Sequence, residues 1–265
     1  MPSSPGVRSK KWLGQNFMVD PAAIQKIVAA AELTPADTVL EVGPGPGTLT
    51  VPIAQRAGRV VAVEIDADLL PALRERVASF PHVVLVHGDI LEQDIATLVT
   101  PPYKVIANLP YYITSAVLRH LLQACPRPTM LIVTVQREVA QRIVAGPGEL
   151  SLLAVSVQFY GRPRIVAHIP AGAFRPIPQV HSAAVRIDCF DRLPWPIDEA
   201  DFFRVVRAGF GQRRKQLKNA LAHGLSLSPE AVPEVLSRAG IDGCRRAETL
   251  SMDEWVALGR AISQM

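Results

Sequence analysis

Thr38-Val39-Leu40-Glu41-Val42-Gly43-Pro44-Gly45-Pro46-Gly47 is the stretch that decides how this chain folds. A β-branched-rich run followed by three glycines at alternate positions reads as a buried strand that ends in a tight turn and opens a helix. Glycine tolerates positive φ and lets a ligand approach with no Cβ in the way. The spacing G-x-G-x-G lacks the last gap of the dinucleotide fingerprint, and no Lys-Ser or Lys-Thr follows as a phosphate loop requires. Alone, such a turn is weak evidence of a ligand. Its surroundings give it meaning.

Downstream, short β-branched-rich runs recur over residues 59–63, 83–86, 104–107 and 130–135, starting roughly two dozen residues apart. Helix-period segments such as 67–79 and 115–124 separate them, and Asp20-Pro21 reads as an N-cap with proline at the first helical position of a helix over 21–31. Strands alternating with helices at this pitch predict βαβ units and a parallel sheet covered on both faces. The fold class expected is therefore α/β and Rossmann-like. The runs share no sequence similarity, so this is a fold rhythm and not a repeat array.

After Val135 the pattern changes. Residues 136–145 read as a helix stopped by Gly146-Pro147-Gly148, followed by an apolar segment over 150–160. Residues 164–169 and 180–187 read as two strands of an antiparallel edge, joined by a proline-rich loop. A linker is expected over 191–197, with Pro194 and Pro196, and beyond it helices over 198–210, 215–222, 229–239 and 252–262. The domains predicted are 1–190, carrying the sheet, and 198–265, a small all-helical domain.

The composition limits the function classes. With 265 residues, 49% hydrophobic and 20% charged, the chain fits one large soluble domain plus a small one. No apolar run approaches the ~18 residues of a membrane span, and residues 1–8 have no signal-peptide character. Cys125, Cys189 and Cys244 are far apart and lack metal-ligand spacing, which fits reduced thiols in a cytoplasmic protein with no metal site. A net charge of +4 makes a polyanionic partner plausible. Its location matters more than its size: residues 207–218 carry Arg207, Arg213, Arg214, Lys215 and Lys218 without one acid, and Arg8, Lys10 and Lys11 form a second cluster. Such segments suit RNA phosphates, although a basic helix face is usually only solvated.

Polar residues fall at consecutive strand ends, where open α/β sheets bind ligands. Glu64 closes the second strand and is placed to accept ribose hydroxyls. Asp89 follows the third and suits an adenine amino group. Asn108-Leu109-Pro110-Tyr111 follows the fourth: an amide acceptor, a backbone stiffened by proline and a flat ring make a clamp for a planar amine. Any one acid is most simply a solvated loop carboxylate; the series at successive strand ends is not.

This set is similar to that of S-adenosylmethionine-dependent methyltransferases, and Asn108-Leu109-Pro110-Tyr111 resembles their motif for modifying exocyclic amines of bases. The likeness narrows with Lys10-Lys11-Trp12-Leu13-Gly14-Gln15-Asn16-Phe17, Phe174-Arg175-Pro176-Ile177-Pro178-Gln179-Val180-His181-Ser182, Phe210-Gly211-Gln212-Arg213-Arg214-Lys215 and Arg246-Ala247-Glu248-Thr249-Leu250. Together, nearly end to end, these resemble the ribosomal RNA adenine dimethyltransferases, in the small-subunit (KsgA-type) branch. The resemblance implies S-adenosyl-L-methionine as cofactor, bound by Asn16, Met18, Gly43, Glu64, Asp89 and Asn108. It also implies 16S rRNA of the small ribosomal subunit as partner, with two adjacent adenosines in a hairpin loop near the 3′ end each taking two methyl groups. Met18 stands where the family usually has leucine, and Thr114 where serine is common.

In the chemistry expected, Asn108 and the Leu109 carbonyl hold the amino group while Tyr111 and Phe174 stack on the extruded base. Tyr111→Phe is then expected to cost little. The plainer reading of Phe174 is a core residue that anchors a proline loop, and His181 is expected to be structural. Two competing functions are a ribosome-assembly or transcription factor of the same fold without catalysis, and a methyltransferase of large-subunit rRNA.

Overall fold

The computed structural model describes residues 10, 14–212, 214–228 and 230–265. Two compact units divide it: residues 1–140 with 162–189, and residues 141–161 with 190–265.

In the first unit, β2 (Thr38–Val42) pairs in parallel with β3 (Arg59–Glu64) on one side and β5 (Lys104–Asn108) on the other. β4 (Val83–His87) extends the sheet beyond β3, and β6 (Met130–Gln136) beyond β5, all in parallel. β9 (Ser182–Cys189) then adds antiparallel to β6, and β7 (Gly161–Ile169) forms the far edge, giving the order β4-β3-β2-β5-β6-β9-β7. The chain leaves β2 in one direction and returns to its other side at β5. That reversal opens a crevice at the strands' carboxyl ends, next to the glycine turn.

The central strands of the sheet are buried on both faces, as their apolar runs require. Val39, Val60, Ile106 and Ile132 join one cluster with Ile24, Ile27 and Val28 of α1 (Pro21–Ala30), while Leu40, Val61, Val105 and Leu131, one residue along, are equally buried. Asp20 caps α1 by accepting from Ala22 N at 2.8 Å, with proline at the first position. Two short strands outside the main sheet have no periodicity to announce them: β1 (Phe17–Met18) pairs antiparallel with β8 (Phe174–Arg175).

The second unit contains α8 (Glu199–Phe210), α9 (Leu217–Leu225), α10 (Ala231–Arg238) and α11 (Met252–Ser263). It also takes in α7 (Leu152–Gln158). This changes the predicted boundary, because residues 141–161 leave the 1–190 domain for the helical one. The cause is aromatic. Phe159, just past α7, stacks on Phe202 of α8 at 4.3 Å, and Phe203 lies 5.1 Å away. The expected linker is anchored to the same cluster: Trp195 Nε1 donates to Phe159 O at 2.8 Å. At Gly209 a Cβ would lie 2.4 Å from the Trp255 ring, so α8 and α11 approach closely only because this position has none.

Candidate active site

The glycine turn that follows β2 takes the positive φ its sequence predicts, +67° at Gly43 and +57° at Gly45. A Cβ at Gly43 would meet only Asn108 O, at 3.9 Å, so a side chain there would stand in open space beside the crevice. Gly45 N donates to Glu64 Oε2 at 2.9 Å, and Asp66 N donates to Glu64 Oε1 at 2.9 Å. The buried Glu64 carboxylate therefore locks the turn to the end of β3. Each of its oxygens keeps a second lone pair. Burial pushes this carboxyl above the usual range, and the Asp66 charge adds to this, against the pull of the backbone amides of Asp66, Gly45 and Ile65.

Around the turn lies a cleft of about 870 Å³, its solvent mouth included. Gly43, Glu64 and Asp89 line it on one side; Asn16, Asn108, Leu109, Tyr111 and Phe174 line it elsewhere. One carboxylate oxygen of Asp89 accepts from Leu91 N at 2.9 Å, capping a short helical turn, and among the described residues nothing donates to the other.

Asn108 is oriented by a residue far away in sequence. Its Nδ2 donates to the backbone oxygen of Asn16 at 2.9 Å. A carbonyl can only accept, so this bond fixes which end of the amide is nitrogen. Among the described residues nothing donates to Asn108 Oδ1, leaving an acceptor beside the cleft. Asn16 is itself positioned by Nδ2 donating to Gly14 O at 3.1 Å, and by the β1–β8 pair that follows it. Tyr111 is held by a hydrogen bond of 2.8 Å between its hydroxyl and Ser182 Oγ. Burial raises the Tyr111 phenol, and the Ser182 contact partly offsets this.

The side chain of Met18, 1% exposed, sits in the apolar core, because strand alternation turns it inward while Phe17 faces the glycine turn, so any contact of Met18 with a cofactor is through its backbone. Lys10, expected on RNA, lies 2.7 Å from carboxylate oxygens of both Asp66 and Asp68, so its charge is already paired. Phe174 combines the two readings made of it: it is 1% exposed and part of the core, yet its ring forms part of the cleft wall. His181 is backbone-bound, its carbonyl accepting from Arg137 N and its Nδ1 from Ala171 N.

Several cleft neighbours went unmarked in the sequence. Ser182 holds Tyr111, and Tyr112 stands on the lip at 65% exposure. Beneath the turn, Glu41 is 1% exposed, and among the described residues its hydrogen-bonding neighbour is the buried Thr50 hydroxyl, at a geometry too poor for a full bond. Burial pushes the Glu41 carboxyl up to about 8, the Thr50 hydroxyl opposing this and the Glu64 charge adding to it, so the group is mostly neutral at pH 7.

In the second unit, Arg207 lies exposed on α8 in a groove with Arg204 and His223. Arg214, Lys215 and Lys218 are exposed at the turn into α9, and none of these four has an acidic partner among the described residues. Lys11 and Arg213 lie outside the described residues.

The family described as ribosomal RNA adenine dimethylase matches residues 6–262. The chain belongs to this family. It is an S-adenosylmethionine-dependent rRNA adenine methyltransferase, with the family's α/β core and helical C-terminal region. A ribosomal RNA small subunit methyltransferase A of Dehalococcoides mccartyi is 49% identical over 255 residues, 95% of this chain and 88% of the relative. One from Moorella thermoacetica is 44% identical, covering 97% and 93%. Among solved structures, the 23S rRNA methyltransferase ErmE is 28% identical with a TM-score of 0.74, covering 94% of this chain and all of that one. A dimethyladenosine transferase from Plasmodium falciparum gives a TM-score of 0.80 at 23% identity, covering 91% and 95%, a likeness of fold.

Proposed function

We propose that the chain dimethylates two adjacent adenosines in a hairpin loop near the 3′ end of 16S rRNA, working in the cytoplasm on the small ribosomal subunit. The observation that carries the chemistry is the Asn108 amide, held by Asn16 with its oxygen free in a cleft that Tyr111 and Phe174 also line. The choice of small over large subunit rests on relatives at 44–49% identity against 28% for ErmE.

The cleft fits S-adenosylmethionine on its own terms. Gly43 leaves backbone and open space where the methionine portion would lie, Glu64 keeps acceptor capacity for ribose hydroxyls, and Asp89 keeps one oxygen for the adenine amino group. When bound, the cofactor supplies an electrophilic methyl on a sulfonium. The protein's task is to bring an amino nitrogen to it. An adenine amino group is a poor nucleophile because its lone pair is delocalised into the ring. Asn108 Oδ1 and the Leu109 carbonyl, by accepting its two hydrogens, favour a more pyramidal nitrogen with the lone pair available. Positioning and fixed dipoles provide the acceleration, and no general base is needed for attack, since the positive charge passes to the nitrogen, which releases its proton to solvent afterwards. The base must leave its stack to enter, and the rings of Tyr111 and Phe174 are the surfaces that would receive it. Arg207, Arg214, Lys215 and Lys218, unpaired on the helical unit, suit the phosphates around the loop.

Asn108→Ala tests the chemistry. Turnover should fall at least ~10²-fold, the scale of losing one preorganised polar contact, with cofactor affinity changing far less. Equal losses in both would make Asn108 a cofactor ligand only. Following labelled methyl into purified 30S and 50S subunits tests the substrate, and incorporation into 23S rRNA alone would reverse the choice made here.

A further inference from the structure

Gly14, Gln15, Asn16 and Phe17 form one wall of the cleft, yet they lie outside the seven-stranded sheet. At one end the β1–β8 pair holds this wall. At the other, Lys10 N donates to Gln15 Oε1 at 2.7 Å, Gln15 Nε2 donates to Asp66 Oδ2 at 2.9 Å, and Lys10 Nζ lies 2.7 Å from Asp66 Oδ1. Asp68 Oδ2 is a further 2.7 Å partner of Lys10.

The Asp66 side chain is 1% exposed. A carboxylate so buried is stable only when its oxygens are occupied. Here the occupants are Lys10, Gln15 and the amide of Asp68, at 3.1 Å. Asp66 is also two residues past Glu64 and donates its own N–H to that carboxylate. One short turn after β3 thus holds the proposed ribose acceptor with its backbone and the opposite wall of the cleft with its side chain.

We propose that Lys10, Gln15 and Asp66 form a clasp that fastens the wall 14–17 over the bound cofactor and slows its departure. Asp66 is a positioning residue in this scheme, and Lys10 serves the cofactor side and not RNA. The inference rests on the cofactor placement proposed above.

The test is the dissociation rate of S-adenosylmethionine, chased with excess S-adenosylhomocysteine, for the full chain and for Lys10→Met, Asp66→Asn and the double variant. Each single change should raise the off-rate about tenfold, the scale of one charge-assisted hydrogen bond, and the on-rate should stay within about twofold. The double variant should fall well short of the product of the two single effects, since both singles remove the shared Lys10–Asp66 contact, and Lys10→Arg should restore slow release. In the cofactor-free protein, hydrogen exchange at amides 14–18 should quicken in the variants while those of β2 and β3 keep their protection. Wild-type off-rates in both single variants, or effects that add in the double, would overturn the clasp. So would loss of protection throughout the sheet, which would make Asp66 a general stability element. If the unmodified chain shows no saturable binding of the cofactor, the cleft assignment fails instead; exchange at 14–18 then decides whether the clasp itself exists.

Discussion

Glu41→Gln is the substitution whose effect follows most directly from a buried carboxyl. Glu41 lies under the glycine turn with only a poorly placed Thr50 hydroxyl to bond it, and burial lifts its carboxyl from 4.5 to about 8. The unfolded chain releases this proton near 4.5, whereas the folded chain keeps it up to about 8. Between those values the folded state holds more protons, so raising the pH destabilises it. The contribution is fully present below pH 4.5, falls by about 1.4 kcal/mol per pH unit through the window, and is gone above about 8. The whole span is on the order of 5 kcal/mol, a large part of the stability of an ordinary domain. Glutamine has the same shape and no proton to lose. The variant should therefore gain on the natural protein steadily as pH rises from 5 to 8. Urea unfolding of both proteins at several pH values in that range measures the difference, with every other titrating group common to the pair. Two parallel stability curves would refute the reasoning, since they would mean that Glu41 ionises alike in folded and unfolded chains.

Tyr111→Phe should not be neutral, as the sequence suggests, because it strips the buried Ser182 hydroxyl of its partner; a loss of about 1–3 kcal/mol in stability is expected, with methyl transfer slowed by a looser ring. Phe174→Leu should lower the melting temperature as well as the single-turnover rate, because the ring belongs to the core and to the cleft; an unchanged melting temperature would contradict its burial. Replacing Arg207, Arg214, Lys215 and Lys218 with alanine should flatten the plot of log RNA affinity against log salt by about 0.7–0.9 unit per lost contact, and an unchanged slope would leave them a solvated face.

What the residues determined by themselves was whatever depends on near neighbours in sequence. The β-branched runs at 38–42, 59–63 and 104–107 had to be covered strands, since no other element buries an unbroken apolar run that short between glycine turns and helices. Gly43 and Gly45 had to turn, and that put Glu64, Asp89 and Asn108 in series at strand ends. The outcome was different wherever a side chain's partner is remote. Asn108 was legible as an acceptor, but its orientation depends on Asn16, and those residues meet only because β1 pairs with β8, two-residue strands too short for any period. Lys10 reads as a free cation until Asp66 and Asp68 stand beside it. Met18 and Phe17 are neighbours in sequence, and strand alternation alone sends one to the core and the other to the glycine turn. Residues 141–161 read as part of the sheet domain until Phe159 meets Phe202, because an aromatic contact leaves no mark on the sequence of either partner. Local physics writes periodicity and turns into the chain; pairing across distant residues, which sets charge state, orientation and domain membership, exists only once the chain has folded.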